Sequence, residues 1–382
     1  MAFWLLKLSY VLHFIYLGTM VAFVPLYLKY LGLSAQQIGT LYAIMALARI
    51  MSGLAIGYFS DRFQMRHHFL SATATGTALA LTAFAWAKSF SAFIMIFFFI
   101  GIFVGPIIPI LDATTLDFLS DRFLNYGKIR LYGTLSFGIT SLGMGMLIQA
   151  RGTRVVVFAL IAAYWSFAAL SYFLPGSQVR EKIEVSLRDV RRAFAAREIR
   201  LTFVTSFFFS LAFACYNVFF SIYLKSLSLA ETTIGLSWLI STLAEAVFFF
   251  LASHYLRRFQ ATTILLLAYA VTGFRWIGMG YAHSAAAIYL LQGLHAISFG
   301  GFYAALINFI REHFPPELLT TAQSLFLIVN FGLASIIGAP VAGFLFTQFG
   351  GSTAFILSGV ASLVVAGLYA WRGNFGPSGT RG

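Results

Sequence analysis

Apolar runs of about twenty residues recur from one end of this chain to the other, and each is long enough to cross a bilayer. In hydrocarbon every backbone N–H and C=O must be satisfied within the protein, so repeated spanning runs of this length dictate helices. The composition agrees. Only 10% of the 382 residues are charged and 60% are hydrophobic, against roughly 25% charged in a soluble domain. Twelve spans are expected, at 8–29, 35–60, 69–87, 91–116, 128–149, 154–174, 201–225, 231–256, 262–282, 285–310, 318–347 and 352–371. Ser34 is placed to open the second span, and Ser228 with Glu231 to form a capping box for the eighth. The first run is long and lacks a small-residue cleavage site, so it reads as a span and not as a cleaved signal.

The net charge of +13 would point to nucleic acid in a soluble protein. In a chain of spans it points to basic loops. With the N-terminus inside, eighteen Lys/Arg fall in cytoplasmic segments and five in outer loops, so both termini are expected in the cytoplasm. Cytoplasmic segments include Arg62 and Arg66, then Arg122 and Lys128, and above all residues 175–200, where seven basic residues follow Pro175. The stretch after Ser186 suits a short amphipathic helix on the membrane surface. One cysteine, Cys215, rules out a disulfide within the chain. No G-x-x-x-x-G-K-[ST] run and no metal-ligand spacing occur in the sequence, which disfavours ATP-driven pumping, a metal cofactor and metalloenzyme chemistry. No cofactor and no enzymatic activity are expected.

The chain also repeats itself. YLKYLGLSAQQIGTLYAIMALAR (27–49) aligns without a gap on YLKSLSLAETTIGLSWLISTLAE (223–245), at an offset of 196 residues and with ten of 23 positions identical. Two six-span halves follow, 1–174 and 201–382, joined by 175–200. Such halves place a substrate site between them near mid-membrane. The offset pairs Arg49 with Glu245, opposite charges at one depth. Arg49 itself suits either the substrate or the contact between halves.

Charges within spans cost at least ~2.5 kcal/mol on insertion scales and so face partners or water. Asp112 lies late in the fourth span and Arg130 opens the fifth, with Asn125 and Gly127 in the turn between. They are expected to pair and to line a substrate path. Glu245 is the only carboxylate deep in the second half, with Trp238 and Ser241 on the same helical face. A carboxylate whose arginine partner can leave is a proton switch. Arg275 suits either an anion or Glu245, and His295 either a proton relay, a substrate hydrogen bond or a bonded core histidine. His13 gains a polar face from Tyr10 and Tyr16. Asp117 lies about 140° round the helix from Asp112 and suits gating. Gly133, Thr134, Ser141 and Gly145 suit close helix contact or a cavity wall.

Twelve spans in two halves around a basic linker resemble the major facilitator superfamily, and GYFSDRFQMRH (57–67) resembles its loop motif between spans two and three, with Gln64 and His67 as departures. The resemblance implies gating roles for Asp61 and Arg62. DATTLDFLSDRFLNYGKIRLYG (112–133) is similar to the proton-coupled lactose-permease type, and nearer still to the phenylpropionate-transporter type through RLYG, TLAEAVFFF, FRWIGMG and the Leu-His of span ten. It implies a proton-coupled symporter importing a small organic solute (an aromatic acid, sugar or nucleoside) by alternating access. It also implies substrate contacts from Asp112, Arg130, Arg275, His295, Trp238, Tyr132 and His13, and proton coupling through Glu245, Asp112 and His295. The lactose-permease type carries a carboxylate three residues after its histidine; here that residue is Ser298, so its proton site does not carry over. The expected setting is a monomer in the lipid bilayer of a bacterial inner membrane, binding solute and proton and no nucleic acid. An exporter of drugs or sugars, or a non-transporting sensor, are the competing classes.

Overall fold

A computed structural model describes residues 2–119, 126–174 and 191–372, with the side chains of Ala2, Asp61 and Ser253 excepted. Arg122, Asn125 and the stretch expected to be an amphipathic helix after Ser186 lie outside the described residues. What is described is helical, with no strand among the described residues. The first half of the sequence forms α1 (Ala2–Ala22), α2 (Val24–Tyr30), α3 (Ala35–Arg62), α4 (Arg66–Phe84), α5 (Phe90–Val104), α6 (Ile107–Leu119), α7 (Tyr126–Arg151) and α8 (Val155–Ser171). The second forms α9 (Arg197–Ser226), α10 (Glu231–Arg258), α11 (Ala261–Tyr281), α12 (Ala285–Gly293), a π segment (Ala296–Gly301), α13 (Phe302–His313), α14 (Leu319–Leu327), a second π segment (Ile328–Leu333) and α15 (Ala334–Arg372).

Among the described residues nine stretches are long and apolar enough to cross a membrane. One of them, Pro316–Arg372, leaves the helical region at Gly350 (φ 78°, ψ 170°), a conformation open to glycine at little steric cost, and so divides in two. Val155–Ser171 and Arg66–Phe84 add two shorter helices, and the arrangement is consistent with twelve passes. The first pass starts at Ala2, six residues earlier than expected, and breaks at Phe23 ahead of Pro25; the fourth breaks at Gly105–Pro106. Proline lacks an N–H and cannot continue a helical ladder unbroken.

Helix starts follow local chemistry with one correction. Ser34 Oγ accepts from the Gln37 N–H (3.1 Å) while Gln37 Oε1 accepts from the Ser34 N–H (2.9 Å), a reciprocal cap for α3. The Ser228 cap does not form. Ser228 takes φ 61°, the helix starts three residues later, and Glu231 pairs instead with Lys225 at 2.7 Å. The charge partner lies on the preceding helix end and outcompetes the backbone.

The two halves of the sequence meet through α3 with α15 and through α7 with α10. The contacts are backbone to backbone, and they come in matched pairs. A Cβ on Gly39 would strike the Ala339 carbonyl, and one on Gly343 the Ala35 carbonyl; one on Gly235 would strike the Ser141 carbonyl, and one on Gly145 the Glu231 carbonyl. Gly39 and Gly235, like Ala35 and Glu231, are separated by the 196-residue repeat offset, so equivalent residues make equivalent contacts. Close approach of this kind is what small residues supply where no hydrophobic effect drives helices together. All four contacts lie at the end where α3 and α10 begin. Near mid-helix the Phe137 ring meets Trp238 edge-on at 5.9 Å.

Gly39→Val or Gly235→Val should therefore prise the halves apart at this end. Native Cys215 is buried, so maleimide labelling of an Ala35→Cys reporter has little background. Labelling is expected to be slow in the parent and several-fold faster with either valine; unchanged labelling would contradict the contact.

Candidate functional site

Asp112 sits on α6 two turns from its end, and Arg130 on the second turn of α7. Arg130 Nη1 donates to Asp112 Oδ2 at 2.6 Å and to Tyr126 Oη at 2.8 Å. Tyr10 Oη, from α1, donates to Asp112 Oδ1 at 2.5 Å and approaches Thr115 Oγ1 at 3.4 Å. Each carboxylate oxygen thus has its own donor. The side chains stay accessible, 39% for Arg130 and 22% for Asp112, as a group bordering an open space requires.

In the second half of the sequence, Glu245 on α10 is 21% accessible and faces His295 Nε2 at 3.6 Å. Behind the histidine lies Arg275, wholly buried. Its Nε donates to the Leu291 carbonyl (2.9 Å), Nη1 to His295 Nδ1 (3.0 Å) and Ser298 Oγ (3.0 Å), and Nη2 to Gln292 Oε1. The guanidinium also lies 4.8 Å from the Tyr216 ring centre and 4.6 Å from that of Trp276. Arginine can only donate, so His295 Nδ1 accepts and, in the neutral imidazole, the ring hydrogen is on Nε2, toward Glu245. His295 packs parallel to Phe299 at 5.3 Å, at the start of the π segment Ala296–Gly301. Such segments interrupt the side-chain register and are frequent at functional sites. Tyr303, two turns on, is within electrostatic reach of Asp112, Arg130 and Glu245 alike.

Several expectations are corrected. Arg275 is neither the ion-pair partner of Glu245 nor an open anion site: neutral acceptors and two rings surround it, and His295 stands between it and the acid. Trp238 is no exposed plate. It is buried, donates Nε1 to Ser221 Oγ (3.1 Å) and packs on Tyr216 and Phe220. His13 is buried against Tyr164, whose Oη is 3.0 Å from Nδ1, in the core of the first half. Tyr132 is apart from the charged pair and holds Lys7, which donates to its Oη at 3.1 Å. Arg62 folds back on its own helix, donating to Tyr58 Oη at 2.8 Å. Asp117 binds Arg66 Nη1 at 2.6 Å, tying α6 to α4 within the first half. The Asp61 side chain lies outside the described residues.

Tyr10, Tyr126, Tyr303, Gln292 and Arg66 went unnoticed as site residues. Tyr10 was seen only as a neighbour of His13, Tyr126 precedes Arg130 by one turn, and Gln292 precedes His295 by three residues. Such spacing was the available signal. Arg66 stands inside the 57–67 motif, and Tyr303 carries no such signal.

A membrane-spanning helical chain with a charged centre between its halves is a transporter of the major facilitator type. Solved structures share the fold: the nucleoside transporter NupG superposes with a TM-score of 0.89 at 16% identity, covering 98% of this chain and 99% of that one. A bacterial homologue of the lysosomal transporter Spinster, in an inward-facing and unoccupied conformation, gives 0.76 at 13% identity, with 97% and 96% covered. The sequence model of the MFS_1-like family matches residues 3–357, and the chain belongs to that family. Among its relatives are a probable 3-phenylpropionic acid transporter of Escherichia coli (strain K12), 26% identical over 93% of this chain and 94% of the relative. Another is the maltose permease of Geobacillus stearothermophilus, 25% identical over 94% and 91%.

Gln292 completes the Arg275 cage, donating from Nε2 to the Ser237 carbonyl (3.2 Å) and Tyr216 Oη (3.1 Å). Gln292→Leu should leave a buried cation short of an acceptor and destabilise the protein by at least ~2 kcal/mol. Thermal unfolding in detergent measures this; an unchanged melting temperature would show the cage to be dispensable.

Proposed function

We propose that this secondary active transporter is a symporter that couples one proton to the uptake of a small organic solute. In this reading residues 1–174 and 201–382 are two bundles, 175–200 is their cytoplasmic linker, and the bundles rock about the charged centre. The protein acts as a monomer in a bacterial inner membrane with both termini in the cytoplasm. Relatives that carry sugars, nucleosides and an aromatic acid support transport of a small solute.

The observation that carries the proton is the unlike company of two carboxylates on spans, Asp112 and Glu245. Asp112 is gripped by Arg130 and Tyr10, so neutralising it strands a cation. Among the described residues Glu245 pairs with His295 alone, in its neutral form, so a proton on Glu245 strands no cation there. Glu245 is therefore the group that loads and unloads. Arg275 and Gln292 act at one remove, fixing the His295 ring and its tautomer.

A solute that raises the melting temperature, found by screening small acids, sugars and nucleosides, provides the assay. Glu245→Gln fixes the neutral form. In reconstituted vesicles it is expected to exchange solute at near-parental rates and to lose accumulation driven by a pH gradient. A misfolded variant fails both assays. Accumulation that survives in Glu245→Gln moves the proton site elsewhere, with Asp112 the next group to test.

A further inference from the structure

Arg49 and Arg275 lie within spans and Arg130 opens one, against two carboxylates, Asp112 and Glu245. Arg130 is matched by Asp112, and Arg275 is caged. Arg49 differs: among the described residues its side chain is exposed and makes no hydrogen bond and no ion pair.

Its position is fixed by a neighbour. Tyr42 Oη donates to the Met20 carbonyl of α1 at 2.8 Å, which sets the register of α3 on α1. Arg49 is seven residues on, two turns along the same face, and α1 runs antiparallel, so Arg49 reaches the level of His13 and Tyr16. Its charge acts on His13, Tyr16 and Tyr164, which belong to the interior of the first half. The adjacent Ile50 packs on Gly332 of the second half. A guanidinium left against lipid is costly, so with Ile50 at the second half the space between the halves is the favourable place for the Arg49 charge.

We propose that Arg49 anchors the carboxylate of the transported solute, an organic monoanion with an apolar body, which places the solute among carboxylic acids and not among sugars or nucleosides. The inference rests on the transport reading above. A planar guanidinium matches a carboxylate with two parallel hydrogen bonds. One partnerless guanidinium calls for one negative charge, and a neutral solute leaves it unmatched. Aromatic rings border the Glu245 partner: His295 stacks on Phe299 at 5.3 Å, and Phe299 meets the exposed Phe331 at 6.2 Å, an apolar surface for the body of such a solute. The repeat puts Glu245 at the equivalent place in the second half, so a carboxylate on Arg49 and a proton on Glu245 together cross the membrane without net charge.

The test is a thermal shift of the full chain in detergent with 3-phenylpropionate and octanoate, each beside its neutral amide, and with maltose and uridine. The acids should raise the melting temperature and the amides should not. Arg49→Gln should weaken acid binding at least tenfold at an unchanged starting melting temperature, and Arg49→Lys should restore part of it. The proposal is overturned if the amides match the acids, if Arg49→Gln binds acids undiminished, or if no acid binds. Binding of maltose or uridine alone overturns it while leaving a proton-driven carrier of neutral solutes intact. Survival of accumulation in Glu245→Gln does the reverse.

Discussion

The structure turns on the cost of holding charge in hydrocarbon. An ion at the middle of a span must be matched by an opposite charge, wrapped in neutral acceptors, or turned to water. All three solutions appear. Asp112 and Arg130 use the first, joining α6 to α7 with α1 as a third support. Arg275 uses the second, in a cage drawn from α11, α12 and the π segment behind His295. Arg49 uses the third, being exposed and without an ion pair among the described residues, and Glu245 keeps a partly accessible carboxylate beside His295. The matched charges tie neighbouring helices together, Asp112 to Arg130 and Asp117 to Arg66.

Where the halves touch most closely, nothing ionic holds them. Glycines let backbone meet backbone at Gly39, Gly145, Gly235 and Gly343, and the repeat makes the two seams equivalent. Such contacts are dispersion forces, each small and lost together when the helices part. Polar contacts near the other end, Arg66 to Asp117 and Arg62 to Tyr58, stay within one half. Opening the seam therefore breaks no ion pair among those described. The geometry suits halves that separate and rejoin as units while their internal charge pairs survive.

The spans were legible because length and hydropathy alone decide them. The repeat was legible because Tyr-Leu-Lys and Ile-Gly recur in register, and its consequence, matching glycine seams, is found in the fold. The Asp112–Arg130 contact was legible because a short turn between two spans leaves the pair little room to avoid each other. Partners from distant spans were not. Nothing in the sequence told that Arg275 would choose Gln292 and Ser298 over Glu245, or that Tyr303 would come within electrostatic reach of both carboxylates. The π segments at Ala296–Gly301 and Ile328–Leu333 have no sequence signature, yet they shift their own side chains, Phe299 and Phe331 among them, off the 3.6-residue register. Ser228 failed as a cap because an ionic partner, Lys225, lay on the neighbouring helix end, and local pattern carries no weight for such competitors.

Alternating access is tested most directly by distances across both ends of the protein. Spin labels at Gln36 and Gln348 straddle the glycine-sealed end, and labels at Arg62 and Arg258, equivalent under the repeat, straddle the other. All four positions are exposed. Pulsed electron resonance in liposomes, before and after addition of a solute that raises the melting temperature, should show the two distances changing in opposite senses. Distances that stay fixed at both ends, or that lengthen and shorten together, would contradict two halves rocking about a charged centre.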